Sequence, residues 1–198
     1  MNNKLMNILN SIVDYFLLNL LWVIASIPLF TLFPATAALF GVVRKRQLQK
    51  ETDGVIKEYI KLFIENFKQS FGISILWVLV AFFLYMDYSL IHPEQSFIQV
   101  FLYMILCVGT ILFVSLTVYL FPIMVHFELS WKFLIRNAFF FTLMYPVLTI
   151  LLLIIIIIGG YLIYIFPVAI FFIGSPVSYI IYHLCQGTFN QIIAKKGM

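Results

Sequence analysis

Five long apolar segments constrain this chain more than any other feature. They lie near 12–41, 70–91, 97–122, 139–158 and 161–184. The last four are each about the ~20 residues that an α-helix needs to cross ~30 Å of hydrocarbon. Of the 198 residues, 64% are hydrophobic and only 10% are charged, and the mean hydropathy is +1.08. A soluble fold of this composition would have too little polar surface to cover its core. In lipid, a spanning backbone must satisfy its own hydrogen bonds, which leaves helices as the solution here. The expected fold is all-α: a single integral membrane domain over residues 1–198, a polytopic helix bundle of about five transmembrane helices.

The charges orient the bundle. Twelve Lys and Arg against eight Asp and Glu give a net charge of +4. Seven of the twelve fall between Arg44 and Lys68, interleaved with four acids, a pattern suited to a membrane surface rather than a nucleic-acid groove. The bilayer is therefore an expected partner and nucleic acid is not. Lys132, Arg136, Lys195 and Lys196 mark two further basic regions, whereas 92–96 has no Lys or Arg. By the positive-inside rule the basic loops and the C-terminus are cytoplasmic. Five crossings then place the N-terminus outside. A re-entrant hairpin in the first segment would instead place it inside, where Lys4 fits. The apolar run from Tyr15 to Phe33 exceeds the ~7–15 residues of a signal-peptide core, so it is expected to be an anchor that is retained.

The first segment is interrupted. Residues 25–43 read ASIPLFTLFPATAALFGVV, with Pro28 and Pro34 six residues apart. Each proline removes a backbone donor and disfavours helical geometry in the residue before it. The helix is expected to stop near Ser26 and to restart with Pro34 at its first position, where proline is favoured. Ser26, Thr31 and Thr36 can supply local partners to the broken backbone. Ala37, Ala38 and Gly41 form a small-residue face that lets helices approach closely. Broken helices at membrane depth frame substrate sites in transporters, and they also serve as bends.

Two polar-faced segments lie between the spans. In 55–68, VIKEYIKLFIENFK, the apolar residues fall on one arc, Phe63 and Phe67 among them, and Lys57, Glu58, Lys61, Glu65 and Lys68 on the other. Glu128, Lys132 and Arg136 form an i, i+4, i+8 stripe in a second segment, 128–137. Together with Arg44, Lys45 and Arg46, these define a cytoplasmic interface that either lies on headgroups or docks a partner.

No catalytic constellation stands out. His92, His126 and His183 are scattered, no phosphate-loop spacing occurs, and Cys107 and Cys185 read as buried thiols. The ionisable side chains avoid the centres of the spans, which argues against a proton-coupled pump but leaves open a carrier or channel for a small neutral solute. No enzyme activity, metal or cofactor is expected.

The phrases NLLW, SIPLFT and FPATAALFGVVR between Asn19 and Arg44, followed by ENFKQSF at Glu65–Phe71, resemble the YesL-like family of small bacterial integral membrane proteins. Phe33 stands where that family's motif usually has Gly. The resemblance implies a bacterial plasma membrane. It further implies an accessory role in oligosaccharide uptake, in association with the permease or ATPase subunits of a carbohydrate ABC importer.

Overall fold

The computed structural model describes residues 2–48, 54–127 and 129–196. Among these residues there are seven α-helices and no strand: α1 (Asn2–Ser26), α2 (Leu32–Leu48), α3 (Val55–Leu90), α4 (Phe97–Phe127), α5 (Trp131–Met144), α6 (Pro146–Ile165) and α7 (Ile170–Lys196). Single 3-10 turns at Leu29–Thr31 and Pro167–Ala169 precede α2 and α7. Five of the helices, α1, α3, α4, α6 and α7, contain stretches long and apolar enough to cross a membrane.

Side-chain pairings give the direction of each helix. Asp14 meets Arg46, Trp22 meets Thr36 and Ala25 meets Thr31, so α1 and α2 form an antiparallel hairpin. Lys45 meets Glu58 and Phe30 meets Phe71, so α3 runs back along α2. Ser70 with Met124, and Trp77 with Thr117, make α4 antiparallel to α3. Asn19 with Ser175, and Tyr15 with Tyr179, make α7 antiparallel to α1. The start of α1, the end of α2, the start of α3 and the end of α7 therefore share one end of the bundle. Of the two arrangements open to the first segment, this is the hairpin, in which α2 returns the chain to the end where α1 starts.

Several boundaries also differ from the sequence expectation. The amphipathic segment 55–68 and the second span are one unbroken helix of 36 residues, about 54 Å long at ~1.5 Å per residue. Nothing in 55–90 stops a helix, and its charged half is held by α2 rather than lying free. Gly159-Gly160, which separate the fourth and fifth apolar segments of the sequence and read there as a tight turn, sit inside α6, where a Cβ on Gly159 would stand 3.6 Å from Ile173 and Val177 of α7. The turn comes instead at Phe166–Ala169, where Pro167 begins a 3-10 turn. The fourth span starts at Pro146, after a break at Tyr145 that separates it from α5. The helix expected to close at Pro122 runs on to Phe127, since neighbouring helices bury Pro122 and its surroundings.

The core is built around α2. Ala35, Ala37, Ala38, Val42 and Val43 are fully buried, and α1, α3, α4 and α7 all pack on this helix. Small side chains allow this. A Cβ on Gly41 would stand 3.0 Å from Leu62 of α3. Gly174 is tighter still: a Cβ there would collide with Oδ1 of Asn19 and lie 3.0 Å from the Trp22 ring. Asn19 is wholly buried, donating to the Ile170 carbonyl at 2.7 Å and accepting from the Ser175 amide at 2.8 Å.

Gly→Ala in a helix interior normally adds ~1 kcal/mol of stability, whereas overpacking costs ~1–3 kcal/mol. Gly174→Ala should therefore lower the thermal midpoint in detergent. Gly187→Ala, where nothing lies within 4 Å of the new Cβ, should leave it unchanged or raise it. Combining Gly174→Ala with Asn19→Ala should cost less than the sum of the two single changes, since they share one contact.

Candidate functional site

The sequence features that invite a functional reading converge on the α1–α2 hairpin and on the α3 segment beside it. The hairpin turn is closed by its own groups. The Ile27 amide donates to the Ile24 carbonyl, and the Thr31 amide donates to the Pro28 carbonyl at 2.8 Å. The Thr31 hydroxyl lies 2.6 Å from the carbonyls of both Ala25 and Pro28 and shares its single proton between them, which ties the end of α1 to the turn. Thr36 donates to the Leu32 carbonyl at 2.7 Å and accepts from the Trp22 indole at 3.1 Å. The apolar side chains of the turn, Ile27, Leu29 and Phe30, point outward.

Pro28, Thr31, Pro34 and Thr36 are thus brought together as expected, but helix α2 restarts at Leu32, two residues before Pro34. Pro34 falls in the first turn of α2, where a missing donor is harmless because those amides have no partner within the helix. The small-residue face of Ala37, Ala38 and Gly41 is buried inside the chain's own bundle and is not free for a partner.

The basic run is also drawn inward. Arg46 pairs with Asp14 of α1 at 2.9 Å and stands over the Tyr15 ring at 5.6 Å. Lys45 pairs with Glu58 of α3 at 3.5 Å. Consecutive cations at the C-terminal end of α2 therefore hold the two flanking helices, and they suit the negative end of the helix dipole. Lys45 and Arg46 are thus engaged within the bundle, and Glu58, on the polar arc of 55–68, is buried. Arg44 lines a cavity of about 250 Å³ with Lys45, Glu65 and Asn66 and is only partly exposed.

The apolar arc of 55–68 is split in two. Val55, Tyr59 and Leu62 turn towards α2, and the Tyr59 hydroxyl donates to the Ala35 carbonyl at 3.2 Å. Phe63 and Phe67, expected to dock a partner, are half-buried in an aromatic ladder that continues from Tyr59 to Phe71 and Phe30. Ile56, Ile60 and Ile64 form the opposite edge and are 50%, 50% and 68% exposed. Lys57 and Lys61 are exposed beside them, and Lys61 pairs with Glu65 at 3.9 Å as the i,i+4 spacing predicts. On α5, Lys132 lies over the Trp131 ring and Arg136 over Phe133 and Phe140, both cations exposed. Glu128 lies outside the described residues.

Asn19, Asp14, Trp22 and Tyr59 are site residues that pattern reading did not single out. The signal for Asn19 was present, since an amide in the middle of a span must find buried partners. The partner itself, 156 residues away at Ser175, has no sequence signature.

An apolar cavity of about 400 Å³ lies among α1, α2, α4, α6 and α7. Its polar neighbours are spent within the protein: Thr36 as above, Thr117 bonded to Trp77 and to the Phe113 carbonyl, and Ser178 to the Gly174 carbonyl. Among the described residues, no three His, Cys, Asp or Glu side chains group as metal ligands would.

Helices of spanning length around a buried half-helix define a polytopic α-helical membrane protein. The family described as "Protein of unknown function, DUF624" matches residues 15–88, the hairpin and most of α3. The chain is 28% identical over 165 residues to the uncharacterized protein YteU of Bacillus subtilis (strain 168), covering 81% of this chain and 74% of YteU. It is 26% identical over 180 residues to the uncharacterized protein YesL of the same organism, covering 88% and 84%. These matches bear out the resemblance to the YesL-like family. No solved structure matches the chain.

A buried hydrogen bond lost without replacement costs ~1–3 kcal/mol. Thr31→Val, which keeps the shape but removes the hydroxyl, should lower thermal stability in detergent by about that amount, and Thr31→Ser should recover most of it. An unchanged midpoint for the valine variant would mean that the hydroxyl is not what closes the turn.

Proposed function

We propose that this is a non-enzymatic accessory protein of the bacterial plasma membrane that associates with other membrane proteins, its partner being a carbohydrate ABC importer. The observation that carries the reading is the unpartnered edge of α3. Ile56, Ile60 and Ile64 are spaced i, i+4, i+8 and exposed on the charged part of a helix that exceeds the ~30 Å hydrocarbon thickness by about 24 Å. Apolar side chains on that part lie beside charges rather than among lipid tails, which favours a protein contact. The importer as partner follows from the family resemblance.

The alternative of an independent carrier or channel for a small neutral solute draws less support. Such a solute needs convergent free polar groups, and the hydroxyls around the interior cavity are already engaged.

Affinity purification from a gentle detergent at native expression should recover permease or ATPase subunits. The variant with Ile56, Ile60 and Ile64 all changed to Ser should lose them while keeping its thermal midpoint. Recovery of the chain alone counts against the association, and uptake by liposomes containing only this protein would support the carrier.

In the same reading the basic end faces the cytoplasm, and both termini lie there. Reporters fused to Met1 and Met198 should both show cytoplasmic activity. An externally accessible N-terminus would contradict the hairpin.

A further inference from the structure

We propose that the groove between α3 and the start of α5 is a binding site for an anionic phospholipid, with its headgroup at Lys68 and its acyl chain along Gly72, Leu76 and Leu79. The groove encloses about 760 Å³ and runs along α3 from Glu65 to Leu79, walled on its other side by Leu129–Trp131. Fourteen rises of ~1.5 Å between Glu65 and Leu79 make it about 21 Å long. Gln69 donates to the Leu129 carbonyl at 2.6 Å and fixes the two walls together.

Its chemistry changes along its length. Lys68 is the last charged residue of α3 before Asp87, so the polar mouth lies where α3 passes from charged to apolar sequence. Among the described residues Lys68 makes no ion pair, whereas Lys45, Arg46 and Lys61 each have one. Glu65 at the mouth is engaged by Lys61. Trp131, with Lys132 5.4 Å from its ring, is half-exposed beside the mouth, a side chain typical of headgroup depth. Deeper in, the groove is apolar, and Gly72 supplies its depth: nothing lies within 4 Å of where a Cβ would stand.

Two other lipid-facing grooves show what sets this one apart. One of about 960 Å³ along Ile12, Phe16 and Phe172, and one of about 290 Å³ along Ile158 and Phe172, have no charged lining residue. They offer contact to any acyl chain and no preference for a headgroup. The α3–α5 groove joins an exposed cation, without an ion pair among the described residues, to an apolar channel, the pattern of an anionic amphiphile.

The test reconstitutes the full-length protein in phosphatidylcholine vesicles that contain a minor fraction of phosphatidylglycerol. Retained lipid is then identified by native mass spectrometry after gentle extraction. Phosphatidylglycerol should be retained in several-fold preference over phosphatidylcholine. Lys68→Gln should remove the preference, and Gly72→Leu, which fills the channel at an exposed helical position, should abolish retention. Gly109→Leu, at an equally open glycine of α4, should behave as wild type. Added inorganic phosphate should not displace the lipid. The proposal fails if both lipids are retained equally, if Gly72→Leu binds as wild type with an unchanged melting profile, if inorganic phosphate competes, or if a co-purified protein occupies the groove in place of lipid.

Discussion

A backbone at membrane depth has no water to bond to, and each orphan amide or carbonyl there costs several kcal/mol. The α1–α2 turn meets that requirement with its own atoms. One hydroxyl, Thr31, lies within hydrogen-bonding distance of two carbonyls, and a second, Thr36, accepts the Trp22 indole. Because the turn is closed locally, the chain can reverse there, and the reversal is what sends α2 back down the middle of the bundle. Helices α1, α3, α4 and α7 are arranged around that return.

The return helix is held in two different ways along its length. In its apolar part it is gripped by shape. Alanines and Gly41 let α3 come close, and Gly174 lets α7 press on α1 at Asn19 and Trp22. Hydrophobic burial adds little between helices in lipid, so close packing and interhelical hydrogen bonds carry the association. In its polar part α2 is gripped by charge, Arg46 to Asp14 on one side and Lys45 to Glu58 on the other. Breaking one partner of such a pair leaves an uncompensated, partly buried charge, which is costlier than the pair is stabilising.

This division bears on function. The elements that looked most functional in the sequence, the double-proline break, the small-residue face and the basic run, are consumed in holding the hairpin. What is left unconsumed lies on the long α3: the exposed isoleucine edge and, one turn further along the same i+4 row, the groove that opens at Lys68. An interior spent on itself and a peripheral free chemistry are what support the proposed role through contacts.

The all-α membrane class, the apolar segments, the basic end and the break after Ser26 were legible by sequence alone. Hydropathy and proline act locally, and lipid leaves the backbone few choices. The small residues of α2 were legible as a packing face, though not what they pack against. Tertiary structure alone decided that α1 and α2 run antiparallel, that 55–90 is one helix, that Gly159-Gly160 is no turn, and that Glu58 is buried. It also joined Asn19 to Ser175. These outcomes depend on which surfaces meet across long sequence separations. An amphipathic arc shows that a helix has two faces, but only the neighbour that arrives, here α2, determines which apolar side chains are buried and which stay free.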